Sequence, residues 1–287
     1  MHDRIKLRRP LVTEFAAGFE VVEKPLSFRQ KLFDNSVFRK SIILAALLVT
    51  WQAYALYLAK PLLFPTFTST LDALARDVLN GVLPERALFS LKLLLKGYVI
   101  AVILTAYFSV LAITTRIGRD ALELLVSMFN PLPAIALLPL ALIWFGLGEG
   151  GIVFVIVHSV LWAVALNTHS GFMAVSPTLR LVGRNYGLRG PRYVWNILIP
   201  AAAGPILTGL RLGWAFAWRT LIAAELVFGV ASGSGGLGWY IYESKNELEI
   251  ANVFAGLLSV TLIGLFVENV IFRVFENRTI ARWGMHA

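Results

Sequence analysis

Few residues of this 287-residue sequence have types and spacings that could support catalysis. Four histidines, at His2, His158, His169 and His286, lack metal-ligand spacing, so we expect no metal site. The absence of cysteine excludes thiolate ligands and cysteine nucleophiles. The stretch Gly233-Ser234-Gly235-Gly236-Leu237-Gly238 fits a dinucleotide fingerprint, but that site requires a preceding strand and an apolar helical segment precedes it here. We therefore predict no catalytic residue and no cofactor.

Charged residues inside an apolar segment offer a different chemistry. Arg211, Arg219 and Glu225 lie in the stretch 201–228, where a charge at mid-bilayer costs about 2.5–3.5 kcal/mol. At about 100° per residue they share one face of a helix, and Trp214 and Trp218 border or lie in it. One hypothesis is an ion pair between an arginine and Glu225 that holds a helix bundle together, with Arg211 the more structural candidate. The other is that Arg219 lines a pathway and attracts an anion.

Close packing is predicted for the opposite face of that helix. Gly209 and Gly213 form a small-xxx-small pattern, which lets two membrane helices approach each other closely. The helix therefore has one face for packing and one polar face.

The composition places this helix in a membrane. Hydrophobic residues make up 57% of the chain, charged residues only 15%, and the mean hydropathy is +0.72. Soluble domains carry about 25% charged residues. Six apolar segments of membrane-spanning length are predicted, at 41–59, 88–114, 121–145, 152–168, 201–228 and 251–272.

Two further features are predicted between these segments. The third is interrupted by Asn130, Pro131, Pro133 and Pro139, so it should kink and expose carbonyls to a pathway or to neighbouring protein. Residues 66–81 predict a short amphipathic helix outside the core. Its expected cap residues are Thr68, Ser69 and Thr70. Its expected apolar stripe is Leu71, Leu74 and Val78.

The positive charges predict the orientation. Eighteen of the 26 Lys and Arg residues lie in residues 1–40, the turn after the second span, the segment 170–200 and the C-terminal tail. Positive residues stay cytoplasmic, so both termini are expected there. The net charge of +9 is thus a topology feature, and we expect no nucleic-acid partner. Residues 1–40 form either a linker or a short helix on the membrane surface.

The segment 170–200 is basic and rich in helix-capping residues. Ser176 and Pro177 begin a helix that can run to Tyr186, and Gly187 suits a left-handed stop. A second helix begins at Gly190-Pro191, and Pro200 closes the segment. These residues predict either an ordinary cytoplasmic loop or a lever on which a soluble partner docks.

This segment resembles the EAA loop of ABC importer permeases. The family's spacing places its glycine at Gly187, its isoleucine at Ile197 and its final Leu-Pro at Ile199-Pro200. The acid and the two alanines of that motif fall on Leu181, Val182 and Gly183, which departs from the pattern. The wider stretch 88–272 resembles the permeases for nitrate, sulfonates, taurine and bicarbonate, and the similarity rests on the following pieces: NPLPAIALLPLALIWFGLGEGG, NTHSGFMAVSPTLRLVGRNYGLRG, ILTGLRLGWAFAWRTLIAAELV and GGLGWYI.

The resemblance implies an all-α membrane protein, a type I ABC importer permease with six transmembrane helices and short cytoplasmic coupling helices. Its domains would be residues 1–40 (cytoplasmic), 41–273 (six-span permease with coupling loop 170–200) and 274–287 (cytoplasmic tail). The implied coupling residues are Ser176, Pro177, Leu181, Gly183, Arg184, Tyr186, Gly187 and Arg189. The expected translocation path contains Asn130, Pro131, Trp214, Trp218, Arg219 and Glu225.

The implied function is import of a small anionic solute, such as nitrate, a sulfonate, taurine, bicarbonate or an organic acid, across a bacterial inner membrane. The implied partners are a second permease copy in a homodimer, two cytoplasmic ATP-binding subunits, a periplasmic substrate-binding protein and membrane lipid. ATP hydrolysis would belong to the partner subunits, so this chain is not expected to be an enzyme. The alternative is an ATPase-independent channel or secondary transporter, which often carries repeated halves.

Overall fold

The computed structural model describes residues 34–228 and 235–279, which are helical or in the turns between helices. Predictions for residues 1–33, for Gly233 and Ser234, and for the tail beyond residue 279 lie outside the described residues. The chain divides into two compact units, residues 1–53 and 54–287. The helices are α1 (Ser36–Leu58), α2 (Phe67–Leu79), α3 (Val82–Thr114), α4 (Arg116–Phe129), α5 (Leu138–Phe145), α6 (Glu149–Ala174), α7 (Pro177–Asn185), α8 (Gly190–Tyr193), α9 (Ile199–Ala201), α10 (Ala203–Phe228), α11 (Leu237–Asn246), α12 (Ile250–Phe266) and α13 (Arg273–Thr279).

Irregular helical turns extend some of these elements. A 3₁₀ turn at Ala134–Leu137 precedes α5, and π-helical turns at Val194–Leu198 and Val267–Phe272 join α8 to α9 and α12 to α13. Such turns re-aim a helix without ending it. The last apolar helix therefore continues from Ile250 to Glu276.

Membrane-spanning segments account for most of the described chain. Within the described residues, four helices are long and apolar enough to cross a membrane: Ser36–Leu58, Val82–Thr114, Glu149–Ala174 and Ile250–Glu276. Two bent pairs, Arg116–Phe129 with Ala134–Phe145 and Gly190–Ala201 with Ala203–Val227, raise the number to six if each pair is one span. The predicted all-α membrane class is confirmed.

The third segment bends where its sequence predicts. Its two helices meet at 90°, and the break contains Asn130, Pro131 and Pro133. Proline removes a backbone donor and clashes with the preceding helical turn, so the helix stops here. Pro139, by contrast, is accommodated in the first turn of α5, where its missing N–H needs no partner.

Helices α3, α6 and α10 pack together around an apolar core. Leu94, Val155, Ile156, Val160 and Leu221 are fully buried in it. Glycines allow the close approach: a Cβ on Gly97 would lie 2.6 Å from Ile156 Cγ2. Packing through small residues is how membrane helices associate when lipid is as apolar as their own side chains.

Helix α2 forms as predicted, but its cap and its buried face differ from the prediction. Thr66 is the N-cap, because its Oγ1 accepts from the Ser69 amide at 3.1 Å. The buried face consists of Thr70, Ala73 and Asp77. Of the predicted apolar stripe, Leu74 is partly buried against the core, whereas Leu71 and Val78 lie on the accessible side. Apolar residues on an accessible face of a membrane protein are compatible with lipid.

A hydrogen bond between buried polar groups fastens α2 to α11. Tyr240 Oη donates to Asp77 Oδ2 at 2.5 Å, and both residues are buried. Burial raises the pKa of the Tyr240 phenol above its ordinary value, and the nearby Asp77 carboxylate adds to this. The phenol therefore stays neutral and donates to the carboxylate.

The segment predicted to close at Pro200 continues for two residues before the chain turns. Pro200 lies within α9, and the chain turns at Ala202, where Gly190–Ala201 and Ala203–Val227 meet at 83°. Pro200 directly follows the π-helical turn Val194–Leu198, so the proline and the irregular turn occur together where the helix bends. The second helix therefore runs from Gly190 through the π-helical turn to Ala201.

Candidate functional site

The packing face of α10 is the face predicted from its glycines. A Cβ on Gly209 would lie 2.8 Å from Asn167 Cβ, and one on Gly213 would lie 2.8 Å from Val164 Cγ2, both on α6. Glycine is required at both positions because the α6 side chains and backbone occupy the space. The close contact fixes the rotation of α10 about its axis and thereby decides where its charged residues point.

A cavity of about 200 Å³ lies where α10 and α6 meet the bend of the third segment. We call it the central cavity, and it is lined by Phe129, Asn130, Pro131, Leu132, Pro133, Ala134, His158, Ser159, Trp162, Phe216, Arg219 and Thr220. Three residues predicted for the pathway, Asn130, Pro131 and Arg219, meet here. They come from positions up to 89 residues apart, and the bend at Pro131 brings them together.

Arg219 has no carboxylate partner among the described residues. Its guanidinium lies 5.9 Å from the centroid of the Phe216 ring, an arrangement that stabilises a cation through the aromatic face. Arg211 pairs instead with Glu268 at 3.0 Å, and both side chains are about half exposed. Neither arginine forms an ion pair with Glu225 in the described chain. Arg219 therefore supplies an uncompensated positive charge to the central cavity.

Glu225 contacts α3 and α11. It is only 1% exposed, and its carboxylate accepts from Ser90 Oγ at 2.7 Å and from the Gly238 amide at 2.8 Å. Ser90 in turn accepts from the Leu237 amide at 2.9 Å. These are the first amides of α11, where a negative charge is favoured by the helix dipole. Glu225 thus anchors the start of α11 and does not line the central cavity.

The same anchor explains the glycines that resembled a dinucleotide motif. A Cβ on Gly236 would lie 2.1 Å from Ser90 Oγ, and one on Gly238 would lie 2.6 Å from the Ile222 carbonyl. The glycines allow the backbone to approach Ser90 and Glu225. Arg86 holds the adjacent turn by donating to the Gly235 carbonyl at 2.9 Å.

Trp214 and Trp218 pack away from the central cavity. The Trp214 ring lies edge-on to Tyr98 and Phe272, with centroids 5.5 and 6.3 Å away. Trp218 Nε1 donates to the Val260 carbonyl at 3.3 Å. Both tryptophans therefore connect α10 to neighbouring helices, and their place in the pathway stays a prediction.

The central cavity also contains an aromatic wall that sequence reasoning missed. Phe129 stacks on Trp162 with centroids 5.2 Å apart, and His158 lies edge-on to both rings. Neither ring nitrogen of His158 nor Nε1 of Trp162 has a hydrogen-bond partner in the described residues. Buried polar atoms usually have a hydrogen-bond partner, so these three nitrogen atoms are exceptions. The sequence feature that could have indicated this wall is His158, a histidine near the middle of an apolar span.

The second candidate region is the segment around α7. The Ser176 side chain caps the helix by accepting from the Leu179 amide at 3.4 Å, and Pro177 takes the first helical position. At the other end, the Gly187 and Leu188 amides donate to the Arg184 and Gly183 carbonyls. This is a Schellman stop, and Gly187 has the φ of +70° that it requires. The predicted start and stop of this helix are confirmed.

The position of α7 is fixed on one side and free on the other. Gly183 is buried, and a Cβ there would lie 2.9 Å from the Tyr193 ring, so α7 packs closely on α8. Arg180 donates to the Phe172 and Val175 carbonyls at the end of α6. Away from these contacts, Leu181 is 58% accessible, and Tyr186, at the C-terminal cap of the helix, is 81% accessible.

The comparisons with known proteins agree with this architecture. A family model described as "Binding-protein-dependent transport system inner membrane component" matches residues 97–281, which include α7 and the central cavity. The chain belongs to this family. It is an ABC transporter permease, a multi-pass component of the membrane.

Named relatives cover most of the permease. A nitrate import permease of Synechocystis is 28% identical over 258 residues, which span 87% of this chain and 90% of the relative. A taurine transport permease of Escherichia coli is 28% identical over 231 residues, 78% of this chain and 82% of the relative. A putative ABC transporter permease of Methanocaldococcus jannaschii is 28% identical over 242 residues, with 83% and 90% coverage. The resemblance drawn from the segment around α7 is confirmed.

Proposed function

We propose that this permease forms the pathway of an ATP-driven importer and moves a small anion through the central cavity. The observation that carries the proposal is Arg219, a cation without a carboxylate partner in the described residues, in a cavity of a membrane bundle. An uncompensated charge inside a membrane is costly, and such residues mark substrate pathways. An anion passing through the cavity offsets that cost.

The lining of the central cavity favours an organic anion over a small inorganic one. Phe129, Trp162 and Phe216 are aromatic, and Pro131 and Pro133 add two further apolar residues to the wall. Nitrate and bicarbonate have oxygens on all sides and need polar partners all round. A sulfonate or carboxylate with an apolar body matches one cationic end and an apolar wall. Relatives are named for nitrate, taurine and aliphatic sulfonates, and of these we favour a sulfonate.

Uptake measurements in vesicles test the role of Arg219. The complex with its ATPase, supplied with the binding protein, would be given labelled ethanesulfonate, benzenesulfonate, taurine and nitrate separately. Arg219→Gln should reduce sulfonate uptake at least about tenfold, because it removes the only cation that lines the cavity in the described chain. Arg211→Gln is the matched control: it makes the same change on the same helix but disrupts an exposed pair, which contributes little.

Two results would contradict this part of the proposal. Equal uptake by Arg219→Gln and wild type would remove Arg219 from the pathway. A preference for nitrate over all three sulfonates, taurine included, would overturn the choice of an organic anion while leaving the anion pathway in place. Uptake that continues without ATP or an ATPase would favour the alternative, an ATPase-independent transporter.

The proposed ATPase contact is formed by two exposed residues of the segment around α7, Leu181 and Tyr186. Leu181 stands where the family's motif has its acid, so the contact is expected to be apolar, and Tyr186 extends it. Ser176, Pro177, Gly183 and Gly187 shape the helix. Rigid-body closure of two ATPase subunits would then move this helix and switch the access of the pathway.

Copurification tests this contact. Leu181→Asp and Tyr186→Asp should lose the ATPase from the detergent-solubilised complex, because a carboxylate is costly to bury in an apolar interface. Ile117→Asp is the control, since Ile117 is 82% exposed at the start of α4 and outside the segment around α7. Loss of the ATPase in the control alone, or in none of the three, would oppose the assignment.

The proposed orientation places both termini, residues 1–40 and 274–287, and the loop 170–200 in the cytoplasm, with six spans within 41–273. The chain has no cysteine, so single-cysteine variants need no other change. Thr178→Cys should react with a membrane-impermeant maleimide only after permeabilisation, whereas Lys60→Cys should react in intact spheroplasts. The reverse pattern would invert the topology.

A further inference from the structure

A second cavity, of about 660 Å³, lies beside the segment around α7. We call it the arginine cavity. Its lining is Ile113, Thr114, Arg119, Met173, Arg180, Arg184, Leu188, Arg189, Gly190 and Tyr193. These residues come from the end of α3, the first turns of α4, the end of α6, α7 and the turn into α8, so five parts of the chain enclose one space.

The charge of the arginine cavity is of one sign. Arg119, Arg180, Arg184 and Arg189 line it, and no carboxylate does. Arg180 is satisfied by the carbonyls at the end of α6. The other three form no ion pair within residues 34–228 and 235–279. Converging cations repel each other, so a bound anion would stabilise the arrangement.

Arginine selects a particular kind of anion. Its planar guanidinium donates two parallel hydrogen bonds to phosphate or carboxylate oxygens, so several arginines on one cavity favour a multiply bonded oxoanion. Ile113, Met173 and Leu188 add an apolar part to the same lining. A ligand with a phosphate and an adjoining apolar portion would contact both the arginines and the apolar residues of this lining.

The position of the cavity indicates where this ligand comes from. Ile113 and Thr114 end the span α3, and Met173 is one residue from the end of α6, so the cavity lies at the level of the bilayer surface. Under the proposed topology this is the cytoplasmic surface, whose anionic lipids attract basic pockets between membrane helices. Leu181 and Tyr186, the proposed ATPase-facing residues, are not part of the lining.

We propose that the arginine cavity binds the phosphodiester headgroup of an anionic phospholipid. The headgroup would join Arg119 of α4 to Arg184 of α7 and to Arg189 in the turn after it. Occupancy would thereby fasten the segment around α7 to the ends of the membrane helices. The inference uses the topology of the proposed function but does not require transport or an ATPase.

Lipid titration of the purified permease, followed by native mass spectrometry, tests the site. The probes are phosphatidylglycerol, which is anionic, and phosphatidylcholine, which is zwitterionic. Wild type should retain phosphatidylglycerol in preference to phosphatidylcholine. The double variant Arg119→Gln/Arg184→Gln should bind phosphatidylglycerol at least about tenfold more weakly, because two of the three unpaired cations are lost.

A matched pair separates a built site from surface charge. Arg116→Gln/Arg192→Gln removes the same two charges from exposed positions at the same end of the bundle, outside the cavity lining. Phosphatidylglycerol binding by this control should stay within about twofold of wild type. Equal weakening in both double variants would overturn the proposal in favour of diffuse surface attraction.

Two other outcomes would also overturn it. If inorganic phosphate competes with phosphatidylglycerol at equal concentration, the site takes a free anion. If lipid binding is unchanged but Arg119→Gln/Arg184→Gln loses the copurifying ATPase, the arginines face an acidic protein surface. Lipid retention is measured without nucleotide or substrate. A failure of the lipid-binding prediction therefore does not argue against the anion pathway, and a failure of the uptake prediction does not argue against the lipid site.

Discussion

The anchor of α11 on Glu225 makes a quantitative prediction for Gly236→Ala. The added Cβ would lie 2.1 Å from Ser90 Oγ and 2.2 Å from Glu225 Oε1, so the network must open. Gly236 has a φ of −84°, and the strain of a left-handed backbone therefore does not contribute. Hydrogen bonds to charged groups contribute about 1.5–3 kcal/mol each, so losing one or two lowers the free energy of unfolding by roughly 2–5 kcal/mol.

Thermal unfolding in mild detergent, followed by tryptophan fluorescence, measures this effect. At about 2–4 °C per kcal/mol, the unfolding midpoint of Gly236→Ala should fall by roughly 4–20 °C. Gly204→Ala is the control, because Gly204 lies in the first turn of α10 and a Cβ there meets nothing within 4 Å. Alanine is the better helix former, so the control should not lose stability.

A double-mutant cycle with Ser90→Ala identifies the cause of any loss. Ser90→Ala should cost less in the Gly236→Ala background than in wild type, because the hydrogen bonds are already broken there. An unfolding midpoint for Gly236→Ala equal to that of Gly204→Ala would refute the anchor. Fully additive effects would show that Gly236 and Ser90 act independently.

Three further outcomes are expected. Tyr240→Phe should lower the free energy of unfolding by about 1.5–3 kcal/mol, because Asp77 loses the hydrogen bond from the Tyr240 phenol and keeps the one from Arg76 Nε. Since the folded pKa of Tyr240 is raised, this stability is fully present below about pH 10 and is lost progressively as the pH rises towards the folded pKa, so an alkaline titration should destabilise wild type more than the variant. Arg180→Gln should lower the unfolding midpoint by several degrees, since it removes two charged hydrogen bonds from the end of α6, whereas an unchanged midpoint would leave that contact without energetic weight. Gly187→Ala should cost roughly 1 kcal/mol through its φ of +70°, and Gly187→Asn should recover most of it; equal losses in calorimetry for both would mean that the left-handed stop is not the cause.

Local sequence determined the helices that have clear start and stop residues. Ser176, Pro177 and Gly187 specify α7 almost to the residue, because capping depends on neighbouring side chains alone. The break at Pro131 is equally local. Residues 66–81 were predicted as a helix, but which side is buried depends on α11 and α12, so periodicity favoured Leu71 and Val78 over Thr70 and Asp77.

Long-range contacts decided the rest of the candidate site. Arg211, Arg219 and Glu225 share a helical arc, which suggested a common environment. Their partners differ, because Glu268 and Ser90 come from other spans. The turn at Ala202 was also beyond local reasoning, since the π-helical turn before it carries the helix past Pro200.

At Ala202 the permease has a sharp corner between two helices. Gly190–Ala201 and the long helix α10 meet there at 83°, and Arg219 lies 17 positions beyond Ala202. At 1.5 Å per residue this arm is about 25 Å long, so a rotation of about 5° at the corner shifts the Arg219 backbone by roughly 2 Å. A small rotation of the corner at the membrane surface would thus move the backbone of Arg219, which lines the central cavity, by a distance comparable to the size of an atom.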